Sequence, residues 1–212
     1  LRERVARRAL FLSPPLAYPD PVDIAANAAA LRERIAAACA RSSRDRATVT
    51  LVAVSKNHPA GAVDEAVRLG VGVFGENRVQ EAKAKIPLAS GRARWHLIGH
   101  LQSNKARDAV RLFDMIESVD SLALAEELDR RAEQVAKVMP VLLQANIAAE
   151  GTKFGYSPER LLSDLPAINQ LRHLEVHGLM TIAPWAPDPE KVRPVFRQMR
   201  ELKERCERAL GA

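Results

Sequence analysis

Lys56 ends a short apolar run, TLVAVSK, and is the residue of this chain best suited to covalent chemistry. Counting in twos places Val52, Val54 and Lys56 on one face of a predicted strand, with Lys56 at its carboxyl end. In parallel α/β folds, ligands bind at the carboxyl ends of the strands. A neutral lysine amine at such a place attacks an aldehyde or a ketone and forms a Schiff base. The placement predicts a site for a carbonyl compound, and the alternative is a lysine that extends into solvent at the rim.

Small or polar residues also follow the other predicted strands. If the strands are parallel, these residues converge on the edge that carries Lys56. Each of these residues alone is weak evidence for a site, because Asn77 could cap the next helix and His100 could be a hydrogen-bonded rim residue. Because only an uncharged amine reacts with a carbonyl carbon, we also expect the apolar strand end to bury Lys56. The strand-end residues in question are Gly75, Glu76, Asn77, Gly99, His100, Asn146, Met180 and Thr181.

The pattern leaves two carbonyl chemistries open. A class I aldolase-like enzyme would form the Schiff base of Lys56 with a substrate, whereas a pyridoxal phosphate protein would form it with a cofactor. Strand periodicity does not separate them.

Strands and helices must alternate to bring these residues together. Apolar runs predict six strands, near residues 48–55, 71–75, 94–99, 114–119, 140–147 and 174–181. Amphipathic stretches predict helices near 23–41, 60–69, 77–86, 103–112, 121–137, 158–171 and 189–210. This alternation is typical of a parallel sheet, and runs such as TVTLVAVS are apolar enough to be covered on both faces. The predicted fold class is α/β, of the (β/α)8 TIM-barrel type, and an open doubly wound sheet is the alternative. A closed barrel needs eight strands and six are predicted, so either the sheet is open or about two βα units are absent.

Composition limits the partners and the compartment. The 32 basic and 26 acidic residues alternate along helices and the chain has few aromatic residues, so we expect no nucleic-acid partner. Cys39 and Cys206 lie in helical stretches outside any Cys/His cluster, which predicts reduced thiols and no metal. No run of apolar residues is long enough for a membrane helix and no signal peptide is recognisable, so we expect a cytoplasmic protein without a membrane partner. We expect residues 1–21 to form a proline-rich arm and residues 22–212 to form a single barrel domain.

Four segments carry a resemblance to a known family. They are AVSKNHPA (53–60), FGENRVQEAKAK (74–85), WHLIGHLQSNK (95–105) and HGLMTI (177–182). From about residue 22 the chain resembles the pyridoxal phosphate homeostasis proteins, whose barrel is similar to the N-terminal domain of alanine racemase. The resemblance implies that Lys56 binds pyridoxal 5′-phosphate as a Schiff base, that Asn77 lies beside the pyridine ring, and that Met180 and His100 lie near the pocket.

The resemblance also implies a role and partners. Such proteins are regarded as carriers or buffers of the cofactor in vitamin B6 and amino-acid homeostasis, so we expect no catalytic residue. We also expect a monomer whose protein partners are pyridoxal phosphate-dependent apoenzymes. The alternative is a racemase-like enzyme on the same scaffold. A racemase needs a second proton-transfer group, commonly a tyrosine, and neither Tyr18 in the arm nor Tyr156 in a loop is an obvious candidate.

The sequence departs from the family at its C-terminal end. The family continues into a Ser-x-Gly-Met-Ser segment and an Arg-x-Gly segment, which hold the cofactor phosphate and ring nitrogen. Neither segment occurs in this sequence. They correspond to the two strands missing from the predicted eight, so we expect the barrel domain to be C-terminally incomplete.

Overall fold

Six parallel strands form one sheet in the order of the sequence, β1-β2-β3-β4-β5-β6. This computed structural model describes residues 23–147 and 154–211. The number and direction of the strands confirm the prediction, and their sequential order is that of a barrel type, not of a doubly wound sheet. The strands are β1 Val52–Val54, β2 Val73–Glu76, β3 Arg94–Leu97, β4 Met115–Val119, β5 Met139–Gln144 and β6 Leu174–Met180.

A helix precedes β1, follows β6 and separates each strand from the next. Three of these helices begin at a residue whose side chain accepts a hydrogen bond from the first turn: Asp23 before α1, Ser121 before α5 and Ser157 before α6. Each such bond satisfies a backbone N–H that has no partner within its helix. The helices are α1 Ile24–Arg41, α2 Ala60–Arg68, α3 Val79–Lys85, α4 Ala106–Leu112, α5 Leu122–Glu133, α6 Pro158–Ile168 and α7 Arg193–Ala209.

The core lies between the sheet and its helices. Alternate residues of the strands are fully buried there, such as Leu97 of β3, Ile116 of β4 and Val141 of β5. Leu128 of α5 belongs to the same cluster and is also fully buried. These buried positions hold the strands in register and thus fix the carboxyl edge of the sheet, which carries the candidate site.

Leu128→Ala is expected to lower the free energy of unfolding by about 2–5 kcal/mol, because the truncation removes apolar contacts and leaves a cavity. Urea unfolding followed by circular dichroism measures this change. The control is Leu88→Ala, since Leu88 is 72% exposed and its loss should cost little. Equal costs for the two variants would mean that α5 does not pack on the sheet as described.

The two outer strands, β1 and β6, each pair with one neighbour among the described residues. The inner face of β1 is open in this part of the chain, and Val54 is 46% exposed. The expectation that β1 is covered on both faces is therefore wrong for the described residues, because an outer strand lacks a second neighbour to shield its inner side. Within the described ranges the six strands form an open sheet in which β1 and β6 are not paired with each other.

Several predicted boundaries are too generous. The strand predicted from residue 48 begins only at Val52, and Thr48 ends a short 3-10 turn, Arg46–Thr48, in which the Asp45 side chain accepts a hydrogen bond from Ala47 N. The final helix is likewise preceded by a 3-10 turn, Pro189–Val192. The proline-rich arm lies outside the described residues. No helix in the described ranges has the length and apolar character needed to cross a bilayer.

Candidate functional site

The four predicted site residues lie at one edge of the sheet, where the strands end. We call this edge the carboxyl rim, meaning the last residue of each strand and the residues that directly follow it. Lys56 follows β1, Asn77 follows β2 and His100 follows β3, so these three lie on neighbouring strands. Met180 is the last residue of β6, at the opposite side of the sheet. The structure thus brings three of the four residues to adjacent strand ends.

Lys56 lies in a turn two residues beyond the end of β1 and is exposed. Within residues 23–147 and 154–211, its amine makes no hydrogen bond and no ion pair. The expectation that the strand end buries Lys56 is therefore wrong. The reason is that β1 is an outer strand that ends at Val54, and the chain turns immediately afterwards, with Asn57 at a φ of 63°.

Asn77 is held in place by the close approach of two backbones. A Cβ atom at Gly99 would lie 2.3 Å from the Asn77 carbonyl oxygen and 2.8 Å from its Cα. Only glycine allows the end of β3 to lie this close to the end of β2. The residue that caps α3 is Arg78, so the alternative of Asn77 as a helix cap is excluded. Asn77 is partly exposed at the rim.

His100 is a hydrogen-bonded rim residue, as the alternative reading of the sequence had it. Its Nδ1 lies 3.0 Å from Asp120 Oδ2, and its ring stacks on Phe154 with the centroids 3.6 Å apart. The side chain remains about one third exposed, at 34%. Asp120 follows β4 directly, so its position at a strand end was the signal that could have identified it as a rim residue.

The carboxyl end of β6 is tied to β5. Met180 is paired in register with Gln144, and the Thr181 hydroxyl donates to the Ala145 carbonyl oxygen at 2.8 Å. Thr181 is thus engaged in joining two strands, whereas Met180 is partly exposed at the rim. Asn146 also lies at this end, where its backbone N–H donates to the Tyr156 carbonyl oxygen at 2.9 Å.

Glu76 is the last residue of β2, but its side chain lies on the helix-facing side of the sheet. It is fully buried, and its Oε1 accepts hydrogen bonds from Ser55 Oγ at 2.7 Å and from Lys85 Nζ at 2.6 Å. The prediction that Glu76 lines the site is wrong. Side chains alternate along a strand, so Glu76 shares the helix-facing side with Phe74.

Lys85 and Glu81, both on α3, were missed by the sequence analysis. Lys85 Nζ donates to the Ser55 carbonyl oxygen at 2.6 Å, and Glu81 Oε1 accepts from Asn57 N at 2.7 Å. The Asn57 N–H, with a further contribution from Lys85, holds the pKa of Glu81 below its ordinary value, so this carboxylate is ionised at neutral pH. Their spacing of four residues on one helix was the signal that could have paired them.

A second pair of polar side chains joins β3 to β4. His96 Nδ1 lies 2.7 Å from Glu117 Oε1, and both side chains are largely buried. Their strand neighbours Leu97 and Ile116 belong to the apolar core on the helix side, so this pair lies on the inner face of the sheet.

Tyr156 is buried, which the sequence did not predict. It forms a single bridge with Ala145, and no described residue accepts a hydrogen bond from its hydroxyl. Burial raises the pKa of this phenol above its ordinary value, so it keeps its proton at neutral pH. This environment argues against Tyr156 as a proton-transfer group. Tyr18 lies outside the described residues.

The fold and the rim define a (β/α)-barrel-type chain with a lysine at the end of its first strand. Residues 26–211 match the family described as alanine racemase, N-terminal domain. Similar proteins are called pyridoxal phosphate homeostasis protein in Aquifex aeolicus (39% identical; 83% of this chain, 78% of the relative) and in Pseudomonas aeruginosa (40%; 84% and 78%). The chain belongs to the pyridoxal phosphate homeostasis protein family.

Solved structures agree with this assignment. PipY of Synechococcus elongatus PCC7942, solved with pyridoxal phosphate bound, is 41% identical with a TM-score of 0.76, over 87% of this chain and 82% of PipY. An alanine racemase of Clostridium difficile 630 is 14% identical with a TM-score of 0.67, over 87% of this chain and 48% of that one. At this identity the second match shows the fold alone, and it confirms the predicted barrel type.

Proposed function

We propose that this chain binds pyridoxal phosphate covalently through Lys56 and that it carries or buffers the cofactor in the cytosol without catalysing a reaction. The observation that carries the proposal is the position of Lys56 at the carboxyl rim, next to the strand that is followed by Asn77. The Lys56 amine is exposed and forms no ion pair with the described residues. The names of this chain's relatives and the pyridoxal phosphate bound in PipY support the choice of cofactor.

The residues of the rim fit this group chemically. Bound pyridoxal phosphate supplies an aldehyde, and Lys56 Nζ would bond to its carbon with loss of water and no change of oxidation state. Asn77, at the neighbouring strand end, offers a donor and an acceptor to a pyridine ring or its substituents. His100 and Met180 would complete the surroundings of the cofactor. Of these four residues, Met180 has the weakest support because its strand lies farthest from β1 in the sheet.

A carrier fits these surroundings better than an enzyme does. In the described ranges Lys56 lies in an exposed turn, which leaves its amine accessible to the cofactor. A racemase needs a second proton-transfer group, and Tyr156 is buried with its proton retained. An accessible amine allows the cofactor to be taken up and released, and we propose that the recipients are pyridoxal phosphate-dependent apoenzymes and that the carrier acts as a monomer.

Incubation with pyridoxal phosphate is expected to give a visible absorbance band that borohydride removes. After reduction, peptide mass spectrometry should locate one pyridoxyl group, on the peptide that contains Lys56. A colourless protein, or a group attached at other lysines in equal amount, would contradict the proposal.

The carrier role needs its own measurement. Amino acids incubated with the loaded protein should keep their configuration at Cα. Exchange of stereoisomers at ordinary enzyme rates, lost in Lys56→Ala, would favour the racemase-like alternative and overturn the carrier reading.

A further inference from the structure

The turn that carries Lys56 is bonded to α3 on both sides of the lysine. Before it, the Ser55 carbonyl oxygen accepts a hydrogen bond from Lys85 Nζ at 2.6 Å. After it, the Asn57 backbone N–H donates to Glu81 Oε1 at 2.7 Å. Lys56 itself is exposed and its amine contacts none of the described residues through a hydrogen bond or an ion pair. Its backbone is therefore fixed by its two neighbours.

The two side chains on α3 act as one unit. Glu81 and Lys85 are one helical turn apart, and Glu81 Oε1 lies 3.6 Å from Lys85 Nζ. Lys85 is in turn fixed by the fully buried Glu76, whose Oε1 lies 2.6 Å from the same ammonium. Ser55 Oγ donates to that carboxylate oxygen at 2.7 Å. The Lys56 turn is thus tied to a buried ionic network.

The backbone of this turn requires support. Asn57 has a φ of 63°, in the left-handed region that residues other than glycine adopt at a cost in energy, a cost that is smaller for asparagine than for most other residues. A charge-assisted hydrogen bond from its N–H to Glu81 offsets that cost, since such bonds are stronger than neutral ones. Loss of the carboxylate would allow the turn to relax to other backbone conformations.

We infer that Glu81 and Lys85 are positioning residues that fix the Lys56 backbone, so that its amine is presented at the carboxyl rim in one orientation. This inference rests on the proposed function, because it assigns to α3 the task of presenting the amine that binds the cofactor. Neither residue touches the reacting carbon. Both act through the peptide groups of Ser55 and Asn57.

Glu81→Ala tests the inference with less risk to folding than a change at Lys85, because the Glu81 side chain is 28% exposed and that of Lys85 only 8%. The amide hydrogen exchange of Asn57 should become about tenfold faster, and the absorbance band with pyridoxal phosphate should form about tenfold more slowly, as expected for the loss of a hydrogen bond to a charged group. Glu81→Gln keeps an oxygen acceptor, so both rates should lie between those of wild type and Glu81→Ala.

Asp64→Ala is the matched control. Asp64 Oδ1 also accepts hydrogen bonds from two backbone N–H groups, those of Ser90 at 2.9 Å and Gly91 at 3.2 Å, but it holds the loop that precedes β3, at the amino end of the sheet. Its removal should leave both rates at the wild-type value. Thermal unfolding of all variants separates a local effect on the turn from a general loss of stability.

The outcomes separate this inference from the proposed function. Wild-type exchange at Asn57 and a wild-type rate of band formation in Glu81→Ala would overturn the inference. Equal slowing in Asp64→Ala would overturn it too, because the effect would then be one of general stability. A wild-type protein that forms no adduct at Lys56 would overturn the proposed function, whereas the exchange of the Asn57 amide would still decide whether Glu81 fixes this turn.

Discussion

Lys56→Ala is expected to abolish the borohydride-stable pyridoxyl adduct completely. The adduct requires a primary amine at the carboxyl rim, and alanine offers none. Folding should be unaffected, because Lys56 is exposed and its amine contacts none of the described residues through a hydrogen bond or an ion pair. The free energy of unfolding should therefore stay within about 0.5 kcal/mol of wild type, the usual range for surface substitutions.

Two further variants make this result specific. Lys56→Arg keeps the positive charge, but a guanidinium stays protonated and should form no adduct either. Lys83→Ala removes a different exposed lysine, which is paired with Asp108 at 3.2 Å, and should leave the adduct unchanged. Peptide mass spectrometry after reduction measures all three. A full adduct in Lys56→Ala would show that the attachment site is another amine.

The fold could be predicted because its signals are local. Apolar runs and amphipathic stretches alternate along the chain, and that alternation alone predicts a parallel sheet. The boundaries were less predictable because they depend on single side chains: Asp45 caps the 3-10 turn Arg46–Thr48, whose last residue the apolar pattern had assigned to the first strand. The open inner face of β1 depends on its neighbours in space, which periodicity does not describe.

The site was predictable only in part, for a similar reason. Strand periodicity placed Lys56 at a strand end, and resemblance to a family supplied Asn77 and the cofactor. Periodicity cannot show that Lys56 is exposed, because its burial depends on the strand count and on the turn at Asn57. Nor could it show that Glu76 faces the helices, since a strand whose two faces are both covered gives no alternation of polar and apolar residues.

Contacts between segments that are distant in the chain could not be predicted from the sequence. His100, Asp120 and Phe154 come from three separate connections and meet only because the strand ends share one edge. The network of Ser55, Glu76 and Lys85 likewise requires α3 to lie over the ends of β1 and β2. A buried lysine within a helix is rare enough to be noticed, yet its burial is a property of the folded chain.

Lys85→Met is expected to be among the most destabilising single substitutions in this domain. The methionine removes the ammonium but leaves the Glu76 carboxylate, which is fully buried and bonded otherwise to Ser55 Oγ. Breaking a buried ion pair by removing one partner costs about 3–5 kcal/mol, because an uncompensated charge is left in the interior. The midpoint of urea unfolding should fall accordingly, with the slope of the transition unchanged.

Lys83→Met is the matched control on the same helix. Lys83 is paired with Asp108 at 3.2 Å, but its side chain is 63% exposed, so its loss should cost about 0–1 kcal/mol. The two lysines lie on the same helix and each is paired with a carboxylate, Asp108 for Lys83 and Glu76 for Lys85, but they differ in burial. Equal costs would therefore mean that Lys85 is not paired with a buried charge.

The double variant Glu76→Gln with Lys85→Met separates charge from packing. With both charges removed, Ser55 Oγ can still donate to the glutamine carbonyl oxygen, so the double variant should be more stable than Lys85→Met alone. A double-mutant cycle gives the interaction energy directly, and we expect it to lie in the range of about 0.5–3 kcal/mol found for groups in contact. Additive costs would show that Glu76 and Lys85 do not interact. A large interaction energy would show that the Glu76–Lys85 contact beneath the Lys56 turn is ionic.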